Sequence, residues 1–347
     1  MIQSQQFGRN GPLVSRVSLG TMTFGAETSE ADAIRQLDLF AERGGTFIDT
    51  ADVYSGGVSE EIIGRWIAAR GGLGDMLLAT KGRFAPPAGS PGGSRRAVVM
   101  AAEASLKRLG LDAIDVHYMH GWDVQTEIGE TLSALGDLIR AGKIHHIAWS
   151  NVSGWQTQQI VSTADRLGVP RPVAIQSQYN LLDRGIEIEV LPCCLENGLA
   201  IAPWSPLGGG WLTGKYGPDA APTGTTRLGE DPGRGVEAYD NRNEDRTYRI
   251  LDALREIASK RARPLSHIAL AWLGERPGVG SVLLGARTPE QLDDNLASAD
   301  LVLEADEIDH LTQVSAPGLP PYPYGFLSEW SGLDVWDRLG TATTPTG

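Results

Sequence analysis

The sequence predicts a single eight-stranded (β/α)8 barrel, an α/β fold of the TIM-barrel class. Short apolar runs alternate eight times with longer segments of helical periodicity, which indicates parallel strands joined by crossover helices. The runs are rich in Ile, Val, Leu and Phe without strict alternation, as in strands buried on both faces. A barrel of this class needs about 250 residues. The 347 residues leave room for insertions, and no linker divides the expected single domain over 1–347.

The predicted elements follow in a regular order. Residues 1–16 predict a hairpin with a turn at Arg9–Pro12. The predicted strands are Val17–Gly20, Thr46–Thr50, Met76–Thr80, Ala113–Met119, Ile144–Ser150, Val173–Gln176, Leu199–Pro203 and Gly280–Leu283. The predicted helices are Glu30–Arg43, Ser59–Arg70, Arg95–Leu109, Glu127–Arg140, Gly154–Leu167, Ile186–Glu196, Asp245–Lys260 and Pro289–Ala297. Thr28–Ser29 and Ser59 are the expected caps of the first two helices.

Three further segments lie outside this alternation. A Gly-, Pro-, Asp- and Arg-rich stretch, Gly208–Glu244, follows the seventh predicted strand, and its length is typical of a lid loop. An extra helix is expected near Pro264–Gly274. The tail, residues 315–347, carries Pro, Tyr and Trp, and we expect it to pack on the body over the active site while Thr341–Gly347 frays.

Composition excludes several classes of protein. The formal net charge is −13, which argues against nucleic-acid binding because that function needs a basic face. No run of about 18 apolar residues predicts a membrane span. The first residues lack the pattern of a secretion signal, and the two cysteines, Cys193 and Cys194, are adjacent and are poor disulfide partners. We therefore expect a cytoplasmic, reduced protein.

Polar side chains follow the predicted strands at their carboxyl ends, where a β/α barrel carries its active site. The second, third and fourth strands bring a carboxylate, a phenol, an ammonium and an imidazole to one face. These four candidates are Asp49, Tyr54, Lys81 and His120. Each alone could have a structural role, as a cap, a packed ring, a solvated charge or a core histidine. Their order at consecutive strand ends favours a shared catalytic site.

The four residue types suit the reduction of a carbonyl group. A phenol has a pKa near 10, and a neighbouring ammonium should lower it and make proton donation easier. The carboxylate would hold the ammonium, and the imidazole would orient the carbonyl oxygen. Hydride would come from a cofactor. Tyr54 is the expected proton donor.

Other enzyme classes fit the sequence less well. A dinucleotide-binding Rossmann fold would need a Gly-x-Gly-x-x-Gly motif after its first strand, and none occurs. The stretch Gly209–Tyr216 approaches a P-loop, but Tyr216 stands where the magnesium-binding hydroxyl must be. A metal site is not expected, since His145 and His146 lie on one strand and point to opposite faces.

The motifs that carry these residues resemble those of the aldo-keto reductase superfamily over nearly the whole chain. Leu19–Gly25 is similar to the family's opening glycine strand, and Phe47–Ser55 followed by Ser59–Gly64 is similar to the signature around its catalytic Asp and Tyr. Leu78–Lys81 resembles the lysine motif and Asp115–His120 the histidine motif. The resemblance assigns the catalytic histidine to His120 and leaves His117 as a strand residue.

The same resemblance implies an NADP(H) cofactor. Gly142–Asn151 resembles the strand-five motif that holds the nicotinamide carboxamide, and Trp204 matches the aromatic that stacks on the ring. Leu284–Asn295 resembles the segment that binds the adenosine phosphate, with Arg287 at the ribose 2′-phosphate. The implied cofactor contacts are Gly20, Thr21, Met22, Asp49, Ser150, Asn151, Gln176, Trp204, Ser205, Leu207, Gly208, Gly285, Arg287, Gln291 and Asn295.

The sequence departs from the family pattern at two single positions and in one short stretch. Gly285 and Gln291 replace a lysine and an arginine found in many relatives, which leaves Arg287 as the main cation for the 2′-phosphate. Gly121–Asp123 replaces a common Trp-Pro-Asp, and we expect Trp122 to line the substrate pocket beside Tyr54 and His120.

The expected function is NADPH-dependent, reversible reduction of an aldehyde or ketone. The alternative is a regulatory NADP(H)-binding protein on the same fold, similar to potassium-channel β subunits. The physiological substrate, the direction of the reaction and the oligomeric state are not encoded in any motif.

Overall fold

A computed structural model describes residues 2–86, 88–219, 221–224, 226–233 and 235–341. Within these residues the strands are β1 (Ser4–Gln6), β2 (Leu13–Ser15), β3 (Val17–Gly20), β4 (Phe47–Asp49), β5 (Leu77–Gly82), β6 (Ile114–Met119), β7 (Ile144–Ser150), β8 (Ala174–Gln178), β9 (Ala200–Trp204) and β10 (Val282–Gly285). Each predicted strand is present, and its ends differ from the prediction by two residues at most. The predicted hairpin is confirmed, because β1 and β2 pair in antiparallel register.

Eight of the strands form one sheet in the order β10-β3-β4-β5-β6-β7-β8-β9. Ile201 of β9 meets the segment that leads into β10, and its N–H donates to the Gly278 carbonyl at 2.7 Å. The Gly280 N–H donates to the Ile201 carbonyl at 2.8 Å. These bonds bring the sheet to a nearly closed barrel and leave few unpaired edge groups, which confirms the predicted fold class.

The helices are interleaved with the strands as predicted. They are α1 (Glu30–Glu42), α2 (Val58–Arg70), α3 (Arg95–Leu109), α4 (Ile128–Arg140), α5 (Gly154–Leu167), α6 (Val190–Asn197), α7 (Arg227–Glu230), α8 (Tyr239–Arg242), α9 (Asp245–Arg261), α10 (Leu265–Gly274), α11 (Pro289–Leu296), α12 (Ala305–Val314), α13 (Phe326–Ser331) and α14 (Val335–Arg338). Short 3₁₀ turns cover Tyr54–Gly57, Gly185–Glu187, Gly208–Thr213, Gly235–Glu237 and Ala297–Asp300, and a single π turn covers Pro321–Gly325.

Two sequence predictions about helix starts differ in outcome. Ser29 caps α1, since its side chain accepts from the Asp32 N–H. Ser59 does not cap α2, which begins one residue earlier after Gly57. Its hydroxyl instead donates to the Thr21 carbonyl at 3.0 Å, because the residue faces the buried strand ends rather than the helix terminus. The Ser59 prediction was therefore wrong.

The helix expected over Ile186–Glu196 is also shifted. Gly185–Glu187 forms a separate 3₁₀ turn, and α6 begins only at Val190. The turn buries the Glu187 carboxylate against Arg184. The predicted helix is thus replaced by a 3₁₀ turn with a buried ion pair, followed by the shorter α6.

The chain divides into two compact units of Cα packing. Unit 1 comprises Met1–Ser177, Glu189–Ala202 and Gly278–Leu296, and it contains six of the eight barrel strands in whole and the larger part of β8 and β9. Unit 2 comprises Gln178–Ile188, Pro203–Pro277 and Ala297–Gly347. The expectation of one domain over 1–347 stays a prediction.

The segment Gly208–Glu244 belongs to unit 2 and is more structured than the predicted loop. It contains α7, α8 and two 3₁₀ turns. Trp211 is fully buried and stacks on Tyr239, with ring centroids 5.6 Å apart. The Trp211 indole also donates to the Glu237 carbonyl at 3.1 Å. Aromatic packing within the segment explains this order, which a loop-like composition concealed.

The tail also belongs to unit 2, and its aromatic residues differ in environment. Trp336 is buried, and its indole donates to the Ile188 carbonyl at 3.0 Å. Tyr322 and Trp330 are 78% and 71% exposed, so the predicted packing holds for only part of the tail. Thr341 is buried and donates to Glu187, which corrects the expected fraying at that residue. The remainder of the predicted frayed segment, 342–347, lies outside the described residues.

Two buried arginines tie the end of the described chain into unit 2. Arg184 donates to Glu187 and to the Leu339 carbonyl. Arg276 donates to the Tyr179 hydroxyl at 3.0 Å and also to the Leu339 carbonyl. Each of these charges is thus desolvated with several partners, which is the condition under which buried ions are tolerated. No helix among the described residues is long and apolar enough to cross a bilayer.

Candidate active site

The four predicted catalytic residues lie at the carboxyl ends of three neighbouring strands. Asp49 ends β4, Lys81 lies at the penultimate position of β5, and His120 directly follows β6. Asp49 pairs with Ala79 in the parallel register, which places the lysine just beyond it on the next strand. Tyr54 opens the 3₁₀ turn that follows β4. The barrel therefore brings the four residues to one end of unit 1, as predicted.

Lys81 is the centre of this group. Its ammonium forms an ion pair with Asp49 Oδ1, and both side chains are at most 1% exposed. The ammonium also donates to the Thr50 carbonyl at 3.0 Å and to the Tyr54 hydroxyl oxygen at 3.2 Å. The second carboxylate oxygen of Asp49 accepts from the Gln176 amide at 2.8 Å. All three ammonium protons thus have fixed acceptors, one of which is the phenol.

Burial and charge act in opposite directions on the phenol. Desolvation raises the pKa of Tyr54, the Lys81 ammonium lowers it, and the Asp49 carboxylate raises it again. The net direction is upward, which corrects the expectation that the ammonium would lower the pKa below its ordinary value. The main reason is the burial of the phenol, and the Asp49 carboxylate further offsets the effect of the ammonium. A raised pKa keeps the phenol protonated near neutral pH.

The charge on Lys81 is stable in this environment. Burial alone would lower the pKa of Lys81, but Asp49 and Tyr54 more than compensate, and the net direction is upward. Burial raises the pKa of the Asp49 carboxyl, which the Lys81 ammonium opposes. The buried ion pair therefore keeps a positive charge next to the Tyr54 hydroxyl.

His120 packs edge-on against Tyr54, with ring centroids 5.9 Å apart. Burial, Lys81 and Arg83 lower the pKa of His120 to about 3, so the imidazole is neutral near pH 7. Its Nδ1 is buried and has no hydrogen-bond partner among the described residues. His117 lies inside β6 and is fully buried, in agreement with its expected place on the strand.

Local hydrogen bonds hold the turn that carries Tyr54. Ser55 has a φ of 50°, in the left-handed region that ordinary residues avoid, and its hydroxyl donates to the Phe24 carbonyl at 2.7 Å. Behind the turn, the Ser59 and Thr50 hydroxyls are 3.0 Å apart. The Thr21 hydroxyl donates to the Asp49 carbonyl at 3.0 Å. These bonds fix the phenol relative to the ion pair.

The residues predicted for the nicotinamide end lie close to the same group. Ser150 ends β7, and its buried hydroxyl lacks a partner among the described residues. Asn151 has a φ of 58°, and its amide donates to the His120 carbonyl at 3.1 Å. Gln176 contacts Asp49. An orphaned hydroxyl beside two amides fits a carboxamide, which can both donate and accept hydrogen bonds.

The opening glycine strand has a mixed environment. Gly20 ends β3, and an added Cβ there would lie no closer than 3.6 Å to another atom. Thr21 is fully buried, and its side chain is engaged by Asp49 and Ser59. Met22 is 39% exposed. Of these three predicted cofactor contacts, Met22 alone presents a substantially exposed side chain.

The predicted pyrophosphate residues form a glycine-rich turn in unit 2. Trp204 ends β9 and Ser205 follows it with a φ of 53°. Leu207 and Gly208 continue into a 3₁₀ turn, and Asn180 donates to the Ser205 carbonyl at 2.9 Å. Gly208, Gly209 and Gly210 also have positive φ, and their N–H groups donate within the turn to Ser205 and Leu207.

The predicted adenosine-phosphate residues lie at the end of β10 and along α11. Gly285 is exposed, and a Cβ added there would meet no other atom within 4 Å. The Arg287 guanidinium lies 3.9 Å from Glu27 Oε1, and the Arg287 N–H donates to the Gln291 side chain at 3.0 Å. Asn295 is buried within α11. The Gln291 side chain, in the first turns of α11, is thus held by the backbone of Arg287 just before the helix.

Sequence reasoning missed several residues of this region. Glu60 is a fully buried carboxylate that accepts from Thr80 and from Arg108. Arg83 and Phe84 follow β5 and border His120. The signal for the latter pair was their position directly after the lysine motif. In the part of the chain that the structure describes, no cluster of three or more metal-binding side chains occurs.

The barrel carries the Asp-Tyr-Lys-His group at the carboxyl ends of its strands, the arrangement that the sequence predicted. The family model "Aldo/keto reductase family" matches residues 16–316, and the chain belongs to this family. It is 33% identical to "Probable voltage-gated potassium channel subunit beta" of Arabidopsis thaliana, covering 92% of this chain and 99% of that protein.

Two further relatives are oxidoreductases by name. "Uncharacterized oxidoreductase YrpG" of Bacillus subtilis is 34% identical, covering 88% of this chain and 94% of that protein. "Aryl-alcohol dehydrogenase [NADP(+)]" of Phanerodontia chrysosporium is 29% identical, covering 93% of this chain and 88% of that protein. The similarity thus extends over nearly the full length of each protein.

Proposed function

We propose that the protein reduces an aldehyde or ketone to an alcohol with NADPH, reversibly, and that Tyr54 supplies the proton. The observation that carries this proposal is the 3.2 Å contact between the Lys81 ammonium and the Tyr54 hydroxyl. When bound, the nicotinamide would supply hydride to the carbonyl carbon. The phenol would give its proton to the carbonyl oxygen, which balances the two-electron reduction.

The other members of the group support that proton transfer. As the proton leaves, the phenolate would be stabilised by the Lys81 ammonium already in contact with its oxygen. Asp49 keeps the ammonium in place. The neutral His120 imidazole can donate a hydrogen bond to the carbonyl oxygen, which orients it toward Tyr54.

The residues present suit NADP(H). Ser150, Asn151 and Gln176 would hold the carboxamide, and Trp204 would stack on the ring. Ser205, Leu207 and Gly208 would contact the diphosphate. Arg287 would pair with the 2′-phosphate, since a guanidinium matches that dianion. The NADP(+) in the name of the Phanerodontia relative supports the same cofactor.

A second candidate is a regulatory NADP(H)-binding protein, favoured by the similarity to the plant protein named as a probable channel subunit β. The complete Asp49, Tyr54, Lys81 and His120 group favours the enzyme.

A panel of aliphatic, aromatic and keto substrates separates the two candidates. Purified protein should oxidise NADPH, followed at 340 nm, only when a carbonyl compound is present. The regulatory candidate would bind NADPH with measurable affinity yet consume it no faster than the spontaneous rate across the panel.

A further inference from the structure

Arg83 is a cation placed two residues beyond Lys81, where β5 has ended. Its φ of 125° is rare for a residue that carries a side chain. Such a conformation is strained and persists where the surroundings enforce it, often at functional sites. The strained backbone is therefore consistent with a functional role for the Arg83 side chain.

The guanidinium is only partly satisfied by the protein. One Nη donates to the Trp122 carbonyl, and the group lies 4.7 Å from the Phe84 ring centroid. The Nε is buried and has no hydrogen-bond partner among the residues that the structure describes. A buried donor without an acceptor is costly, which points to an acceptor that comes from outside the chain.

The neighbouring carboxylate does not fill this role. Asp123 accepts from the Gly93 N–H at 2.6 Å, the Gln125 N–H at 3.0 Å and the Thr126 hydroxyl at 2.9 Å. The Arg83 charge helps to lower the pKa of Asp123, but among the described residues the Arg83 Nε donates to no carboxylate. The Nε is therefore available to an anion from outside the chain.

Arg83 and Phe84 are linked to the proton donor by a row of rings. Phe84 lies 4.8 Å from the His120 ring, and His120 lies 5.9 Å from the Tyr54 ring. Phe84 is 48% exposed, so part of its ring is open to a ligand. A substrate whose carbonyl reaches Tyr54 and His120 would extend along this row toward the guanidinium.

We propose that Arg83 and Phe84 form a subsite that selects ring-bearing carbonyl compounds with a carboxylate or similar anionic group. The proposal rests on carbonyl reduction at Tyr54. The guanidinium offers the unpaired Nε to the anion in a charge-assisted hydrogen bond. The Phe84 ring offers an apolar surface to the substrate ring. A neutral substrate would leave the buried Nε unpaired and should bind less well.

The test compares 4-formylbenzoate with 4-formylbenzamide, which have nearly the same size and differ in charge. The wild-type kcat/KM should favour the benzoate by about tenfold or more, chiefly through a lower KM. The net strength of a hydrogen bond to a charged group corresponds to a change in affinity of about that size. Arg83→Met should bring the ratio to about one, and Arg83→Lys should restore part of it. Arg96→Met, which removes an exposed arginine at the start of α3, should retain the wild-type ratio.

A binding measurement keeps the subsite separate from the proposed activity. Terephthalate, which offers no reducible aldehyde, should bind the wild-type protein about tenfold more tightly than terephthalamide by calorimetry, and Arg83→Met should remove the difference. Thermal melting would confirm that each variant is folded.

The outcomes are distinct. If neither aldehyde is reduced but terephthalate binding depends on Arg83, the proposed function fails and the subsite stands. If both aldehydes are reduced equally and terephthalate binding ignores Arg83, the subsite is wrong and the proposed function stands. A preference for the benzoate that survives Arg83→Met would also overturn the subsite.

Discussion

At the scale of single residues, the Tyr54 hydroxyl is the group with the largest expected effect. Tyr54→Phe removes one oxygen and leaves the ring that packs against His120. Because general-acid catalysis contributes about 10²–10⁴-fold, kcat should fall by that factor while the Kd for NADPH changes little. The measurement is steady-state kinetics on the best carbonyl substrate, together with a fluorescence titration of NADPH.

Tyr248→Phe is the matched control for that substitution. It removes a phenolic oxygen from α9, where the hydroxyl contacts the Asn243 side chain at 2.5 Å. The control should retain the wild-type kcat. Full activity of Tyr54→Phe would contradict the assignment of the proton donor.

The identities of these residues could be predicted from sequence, but the direction of one pKa could not. Residue order placed Asp49, Tyr54, Lys81 and His120 at neighbouring strand ends, because parallel strands in a barrel share one catalytic end. The pKa of Tyr54 depends on how deeply the phenol is buried and how closely Asp49 approaches Lys81. Both are three-dimensional quantities, so the sequence argument counted the ammonium and missed the larger effect of burial.

At the scale of elements, α9 and α12 are joined by a buried carboxylate. Glu307, in the first turn of α12, accepts bonds of 2.8 and 2.6 Å from Arg261 at the end of α9. These bonds lower the pKa of Glu307 to about 2. Each charge also lies at the helix terminus where the macrodipole favours its sign.

Glu307→Gln should therefore have a pH-dependent effect on stability. A carboxyl whose pKa is lower in the folded state stabilises the protein above its unfolded pKa, and this contribution is lost as pH falls through the folded pKa. The variant should be about 1–2 kcal/mol less stable than wild type at pH 7. The difference should shrink from about pH 4.5 towards pH 2.

Urea unfolding at pH 7, 4 and 3 measures this difference, with Glu256→Gln as a control at an exposed position of α9. The control should be close to wild type at each pH. A Glu307→Gln effect that did not change with pH would contradict the ion-pair explanation.

The start of α11 carries the prediction for cofactor choice. Arg287→Ala should raise the Kd for NADPH by roughly tenfold, through loss of a charge-assisted contact with the 2′-phosphate. The Kd for NADH, which lacks that phosphate, should change little. Titrations with the two nucleotides give the ratio directly, and equal weakening of both would overturn the role given to Arg287.

Element boundaries were predictable where the sequence carries a strong helix-stop signal. Gly110 and Gly168 end their helices in the left-handed conformation, and the predicted helices before them have the observed bounds. The predicted bounds fail at Ile186–Glu196, where a buried Arg184–Glu187 pair shapes the chain. Opposite charges three residues apart are typical of an exposed pair on a helix surface. The sequence therefore did not predict that this pair is buried.

At the scale of the whole molecule, we propose that the segment Gly208–Glu244 orders further when the cofactor binds. Ser205 contacts Glu237, and the Gly209 N–H donates to Ser205 at 3.2 Å, which joins the glycine-rich turn to the last part of the segment. Hydrogen exchange in Gly208–Glu244 should slow at saturating NADPH, while α9 should show no change. An unchanged segment at verified saturation would contradict this proposal.

The fold of the whole molecule was the most predictable feature, because eight repeats of one pattern reinforce each other. An error of two residues at a strand end, as at β8, does not alter the order of the sheet. The structure within Gly208–Glu244 was less predictable, since Trp211 and Tyr239 are far apart in sequence and stack only in the folded chain.

The buried arginines of unit 2 also set an order in time. Arg184 leaves the ribosome 155 residues before Leu339, whose carbonyl it bonds. At about 5–20 residues per second, that interval is on the order of ten seconds. Arg184 lacks the Leu339 acceptor throughout this interval, and Arg276 lacks the same acceptor for the last 63 residues of it. The polar interior of unit 2 is therefore completed only when the end of the described chain has been made.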